Sequence, residues 1–205
     1  MKKMITGLAL ASTMALAGGN YTEVVKVTPW TGFYAGGSLT ANQTYLSGNA
    51  DWFETTNLNK TAYGIAGDVG YTFFNNGDIA LSAEARAGTS LSGDDFVETS
   101  YIAGYLKPEA VFNGFSVYGL FGYGELSYTE TANAPLVEYS VTADVDGFTW
   151  GLGTSYAFNE NVSVFADYVV QPSLDLVDIT SGDGVTINED SIETDVISVG
   201  VNYRW

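Results

Sequence analysis

The sequence has no cysteine and no histidine. Without cysteine no disulfide framework can form, so the fold has to be held by packing and hydrogen bonding alone. The two absences together remove Ser–His–Asp and Cys–His catalysis and the commonest transition-metal ligands. Basic residues are scarce: seven Lys and Arg stand against 24 Asp and Glu, a formal charge of −17. Nucleic-acid binding needs the opposite sign, because phosphate contacts come from Lys and Arg. A carboxylate pair could still serve glycoside hydrolysis, but nothing in the sequence locates one in a cleft. The expectation is a chain that is not an enzyme and carries no cofactor. After the first 17 residues no run is apolar enough to form a membrane helix. That does not settle the membrane question, because a membrane strand carries only alternating hydrophobicity.

The N-terminus has a pattern of its own. Lys2 and Lys3 precede an apolar and small-residue stretch from Met4 to Leu16, and Ala15-Leu16-Ala17 fits small-x-small cleavage. A positive start, a short apolar segment and such a site make a secretory signal peptide, expected over 1–17 with cleavage after Ala17. Its removal takes away two bases and no acids. No cysteine follows the apolar segment, so no lipoprotein anchor is expected. Residues 18–31 read as a short periplasmic tether, and 32–205 as one domain.

From Gly32 onward, stretches rich in Tyr, Phe, Val and Gly alternate by twos between turn signals. The pattern predicts eight strands, over 32–44, 60–74, 78–91, 99–112, 115–128, 147–158, 162–173 and 193–205. Three connections are short: Asn75-Asn76-Gly77, Asn113-Gly114 and Asn159-Glu160-Asn161. Asn-Gly tolerates the positive φ that a type I′ hairpin turn needs. The other four connections are longer and polar. Short turns at one end and long loops at the other fit a transmembrane barrel, and an even strand number puts both termini at the short-turn end.

The side-chain phase agrees. The last strand sets Ile197, Val199, Val201, Tyr203 and Trp205 against Ser198, Gly200, Asn202 and Arg204. The sixth sets Phe148, Trp150, Leu152, Tyr156 and Phe158 against Thr149, Gly151, Gly153, Ser155 and Ala157. The seventh sets Val162, Val164, Ala166, Tyr168 and Val170 against Ser163, Asp167 and Gln171, with Phe165 and Val169 as exceptions. Bulk on one face and small or polar residues on the other place lipid outside and a narrow lumen inside. The fifth strand has no assignable phase. Pro108 falls mid-strand, where proline cannot donate to the ladder, and a bulge is expected there. Phe33, Tyr71, Phe73, Phe112, Phe115, Phe158, Tyr203 and Trp205 gather near the predicted periplasmic edge, where an aromatic girdle would lie. The fold class is therefore all-β: an eight-stranded antiparallel up-and-down transmembrane β-barrel.

Asp68, Glu84, Arg86, Lys107, Glu109 and Asp167 lie in mid-strand. A Lys or Arg facing lipid near the midplane would cost about 2–4 kcal/mol, so these charges are expected to face the lumen and to pair. Lys107 and Arg86 are expected to bridge Asp68, Glu84 and Glu109. Asp167 falls near the same level, and Arg204 lower, at the periplasmic mouth. Eight strands leave an interior just wide enough for side chains, which favours a plug over a path for ions.

Trp30-Thr31-Gly32-Phe33-Tyr34-Ala35-Gly36-Gly37 resembles the first strand of bacterial outer-membrane barrels of the outer membrane protein A and opacity-protein type. Gly200-Val201-Asn202-Tyr203-Arg204-Trp205 resembles their last strand. The resemblance implies a bacterial outer-membrane location and lipid and lipopolysaccharide as neighbours. It also implies that Gly200, Tyr203 and Trp205 carry the signal read by the barrel assembly machinery. No peptidoglycan-binding domain is expected to follow. The predicted extracellular loops hold acids and almost no bases, and Asp175, Asp178 and Asp183 lie in the last of them. Oxygen ligands suit calcium, but an acidic surface that keeps the loops solvated is the favoured reading, and no metal site is assigned. The functional expectation is a monomeric barrel with a plugged lumen that supports outer-membrane structure and presents acidic loops to an extracellular ligand. The alternative is a small cation-favouring porin.

Overall fold

In a computed structural model, residues 30–50, 58–93, 97–134, 137–176, 179–180 and 186–205 are described. The expected signal peptide, the tether as far as residue 29, Asp178 and Asp183 lie outside them. The strands are β1 (Gly32–Ala50), β2 (Leu58–Asn75), β3 (Ile79–Gly93), β4 (Val97–Phe112), β5 (Phe115–Ala134), β6 (Val137–Ala157), β7 (Val162–Val170), β8 (Leu174–Leu176), β9 (Ile179–Thr180) and β10 (Thr186–Arg204). Strands β1 to β7 pair in chain order, all antiparallel; β7 pairs β10, and β10 pairs β1. The short β8 and β9 also pair β10, continuing the line of β7. The wall is thus a closed barrel of eight strands.

All three short turns lie at one end and are built by asparagine. Asn113 and Gly114 adopt positive φ of 50° and 84° between the paired Phe112 and Phe115, as a type I′ turn requires. The Asn76 side chain accepts from the N–H groups of Asp78 and Ile79. Asn159 does the same for Asn161 and Val162. The chain ends meet at this rim: Trp30 Nε1 donates to the Trp205 carbonyl at 2.8 Å, and Asn161 Nδ2 to the Arg204 carbonyl at 2.9 Å.

The outer face is apolar. Leu39 is 72% exposed, Ile102 61% and Phe148 62%. A belt of such residues around a soluble protein would be an aggregation surface; around a closed barrel it is the lipid face. At the short-turn rim Phe33 stacks obliquely on Tyr71 at 4.7 Å, and Tyr203 meets Trp205 edge-on at 5.6 Å.

Three expectations change, and the open phase of the fifth strand is resolved. The proline at 108 makes no bulge. Leu81↔Pro108 keeps the β3 register, and Leu106↔Phe121 and Glu109↔Tyr118 keep the β5 register on either side. The ladder lacks a donor there but gains no extra residue. Register shifts occur instead at Tyr63/Gly64 and Thr72/Phe74 between β2 and β3, and at Ser47/Asn49 between β1 and β10. The seventh strand stops at Val170 rather than 173, because Pro172 interrupts it. β5 and β6 run far beyond the predicted limits, pairing up to Ala134↔Val137. Residues 137–146 alternate apolar and polar at every position in the sequence, a strand signal inside the expected polar loop. Finally, β5 turns Tyr118, Leu120 and Leu126 inward and Val117, Phe121 and Tyr123 outward. With bulk on both faces it carries no readable phase.

Candidate functional site in the barrel lumen

The lumen contains large side chains because glycines make room for them. Each luminal aromatic stands opposite a glycine on the neighbouring strand: Tyr34↔Gly70, Tyr101↔Gly88, Tyr105↔Gly122, Tyr118↔Gly153 and Phe165↔Gly200. The fit is close. A Cβ added at Gly70 would lie 2.2 Å from Tyr34 Cζ, and one at Gly153 would lie 2.4 Å from Tyr118 Cζ. Covering a strand glycine with a cross-strand ring pins the register.

Two of these rings hold an ion cluster. Glu84 and Arg86 lie two residues apart on the inward face of β3, with Lys107 on β4 and Asp167 on β7. Arg86 Nη1 donates to Asp167 Oδ1 at 3.1 Å, and Nη2 to Asp167 Oδ2 at 2.9 Å. That two-pronged grip matches the planar guanidinium. Nη2 also reaches Glu84 Oε1 at 2.8 Å, and Lys107 Nζ reaches Glu84 Oε2 at 2.9 Å. Tyr34 donates its hydroxyl to Glu84 Oε2 at 2.7 Å, and Tyr118 donates to Asp167 Oδ2 at 3.0 Å. The Lys107 ammonium sits 4.2 Å from the centre of the Tyr118 ring, and the Arg86 guanidinium 5.6 Å from that of Phe165. Both cations thus meet ring faces as well as carboxylates.

On the long-loop side of this cluster two small apolar groups stand among buried polar residues, including Asn42, which donates to Thr99, and Thr44, which meets Thr194. Ala103, Tyr105, Tyr118, Leu120 and Val169 pack together. Ala66, Tyr101, Leu126, Val145 and Val196 form a second group. On the periplasmic side, Thr72 meets Ser82 at 2.9 Å and Ser116 meets Ser155 at 2.7 Å. Below them Trp30, Glu109 and Arg204 line a cavity of about 30 Å³ at the mouth.

Of the predicted luminal residues, Glu84, Arg86, Lys107 and Asp167 come together. Asp68 is buried beside them but makes no ion pair among the described residues, although it is the register partner of Arg86. The Arg86 fork reaches across the lumen to β7 instead. Glu109 is not bridged either; two residues nearer the mouth than Lys107, it shares the lower cavity with Arg204. Arg204 lies over the Trp30 ring at 5.8 Å. Tyr34 and Tyr118 were missing from the sequence reading. Tyr34 follows the inward phase of β1, but the unreadable phase of β5 hid Tyr118.

Gly200 faces inward beneath Phe165, while Tyr203 and Trp205 are exposed on the outer rim. Asp175 lies in β8. Among the described residues no three acidic side chains are grouped to hold a metal ion.

The closed barrel and its lipid face define a class of membrane protein. The chain matches the model of the outer membrane protein β-barrel domain over residues 5–204 and belongs to that family. It is thus a small β-barrel protein of the bacterial outer membrane. Among solved structures it is similar to Ail, the attachment invasion locus protein of Yersinia pestis, with 15% identity and a TM-score of 0.51. That match covers 86% of this chain and 100% of that one. It is also similar to the outer membrane protein OprG of Pseudomonas aeruginosa, with 12% identity and a TM-score of 0.50, covering 88% and 99%. At these identities the likeness is one of fold. No curated protein sequence matches the chain significantly.

Proposed function

We propose that this is a closed, non-enzymatic barrel with a plugged lumen. It would support the outer membrane as a monomer and present an acidic extracellular surface to a ligand. The observation that carries the proposal is the ion cluster. Six side chains from five strands cross the lumen, and the ion-paired ones are 0–7% exposed. The exposed wall residues Glu125, Asp144 and Asp146 extend the acidic surface of the loops downward.

In this proposal the residues 1–17 are a cleaved export signal. Gly200, Tyr203 and Trp205 are read by the barrel assembly machinery, and lipopolysaccharide surrounds the upper wall. The test is potassium efflux from liposomes holding the refolded protein. The proposal expects efflux no faster than from empty liposomes. Rapid, cation-selective efflux would favour the alternative, a small porin. That alternative has support of its own in a luminal wall where Ser38, Thr40, Ser163 and Ser198 carry hydroxyls without protein partners among the described residues.

A further inference from the structure

One carboxylate in the lumen lacks a counter-charge. Asp68, Glu84 and Asp167 supply three negative charges, and Arg86 and Lys107 supply two positive ones. Glu109 and Arg204 offset each other lower down. Both bases are engaged by Glu84 and Asp167, so the surplus falls on Asp68. An ionised carboxylate does not stay buried without compensation.

On its β1 side Asp68 meets another oxygen. Asp68 on β2 and Asn202 on β10 flank Gly36 of β1 in the register. A Cβ added at Gly36 would lie 1.8 Å from Asn202 Oδ1 and 2.8 Å from Asp68 Oδ1. The two oxygens are therefore at most 4.6 Å apart, the sum of those distances, and only glycine leaves the space over β1 open. Asp68 is 4% exposed, Asn202 6% and Ser38, the next inward residue of β1, 9%. Asp68 Oδ2, Asn202 Oδ1 and Ser38 Oγ have no hydrogen-bond partner among the described residues. A carboxylate and an amide oxygen this close, with a net negative charge around them, attract a cation; the Ser38 hydroxyl and the unpaired Nε of Arg86 are the nearby donors that compete for Asp68.

We infer that Asp68, Asn202 and Ser38 form a site for a monovalent alkali cation in the lower lumen. All-oxygen donors suit a hard cation. One positive charge brings the cluster to neutrality, whereas a divalent ion would overshoot. The inference rests on the plugged-lumen proposal and assigns the plug a further component, an ion held in place rather than passed. Asp68 is then the residue through which external salt composition reaches barrel stability.

The test is the thermal unfolding midpoint of the refolded full-length barrel in detergent. It is read in sodium, potassium or N-methyl-D-glucamine chloride at equal concentration, so that screening is constant. At about tenfold above the dissociation constant, an alkali cation should raise the midpoint by roughly 3–5 °C in a saturable way. The isosteric Asp68→Asn variant should lose the response and match the cation-loaded protein in N-methyl-D-glucamine. If that variant does not fold, the salt series on the unmodified protein decides alone. Equal midpoints in all three salts would overturn the inference and mean that the Asn202 amide turns to donate to Asp68. A midpoint that ignores the cation and rises as pH falls would also overturn it, showing that a proton neutralises Asp68. Either result would leave the liposome efflux unchanged, so failure here is distinct from failure of the plug.

Discussion

Arg86 on β3 grips Asp167 on β7 through two hydrogen bonds of 3.1 and 2.9 Å, across the lumen from one wall to the other. Neither residue is near the other in sequence or in the sheet. The bond therefore ties opposite sides of the barrel directly, where the backbone ladder ties only neighbours. Asp167→Asn should leave the Arg86 charge half-satisfied in a buried site and destabilise the barrel by about 3–5 kcal/mol. Urea unfolding of the refolded protein measures it. Arg86→Met combined with Asp167→Leu should recover most of the loss, because no charge is then stranded. A double variant no better than the single one would mean that the pair contributes through its geometry rather than its charge.

The pairing of rings with glycines gives a prediction with a built-in control. Gly153→Ala puts a methyl group into the Tyr118 ring and should cost about 1–3 kcal/mol. Gly104→Ala meets no heavy atom within 4 Å of the added Cβ. There the substitution should be neutral or stabilise by about 0.4–1 kcal/mol, by reducing the freedom of the unfolded chain. Equal effects at the two positions, read from unfolding midpoints, would remove the rings from the list of register determinants.

The orientation of the wall can be tested at Val199 and Ser198. Val199 faces outward and Ser198 inward on β10, and they are adjacent in sequence. Val199→Arg should cost about 2–4 kcal/mol in lipid vesicles if it meets the bilayer core. In a soluble detergent-free state no such penalty would exist. An arginine accepted at 199 without loss would place the wall outside the membrane.

The sequence carried the strand count, the three asparagine-built turns and the inward facing of the mid-strand charges, because each depends on local pattern. A period of two, an Asn-Gly pair and the cost of a charge in lipid all act within a few residues. It did not carry the partners. Arg86 and Asp68 are neighbours by register, yet Arg86 bonds Asp167 from 81 positions away. That choice depends on the lumen diameter and on where the guanidinium fork can lie flat. The bulge expected at Pro108 does not form, and the phase of β5 stays unreadable in the sequence. A proline removes a donor without forcing an extra residue, and β5 sends bulky residues such as Tyr118, Leu120 and Leu126 inward as well as outward. The extended β5–β6 hairpin falls outside the expected strands although residues 137–146 alternate by twos, because the polar run from Thr129 to Asn133 and Pro135 reads as the end of the strand pair.

The tight turn at Asn113 and Gly114 should matter to folding more than its exposure implies. Gly114→Val forces a β-branched side chain into a backbone with φ of 84° and should cost about 1–3 kcal/mol. It should also slow refolding into vesicles, followed by the change in gel mobility between unfolded and folded forms. Refolding at the unmodified rate would mean that the β4–β5 hairpin closes late.

The most direct measurement is single-channel recording of the refolded barrel in a planar bilayer, with insertion shown independently by protease protection. A lumen closed by Glu84, Arg86, Lys107 and Asp167 predicts a silent membrane with the unmodified protein. It also predicts brief steps once Arg86→Ala removes the central cation. Stable, reproducible, cation-favouring steps from the unmodified protein would contradict the plug and make this barrel a small porin.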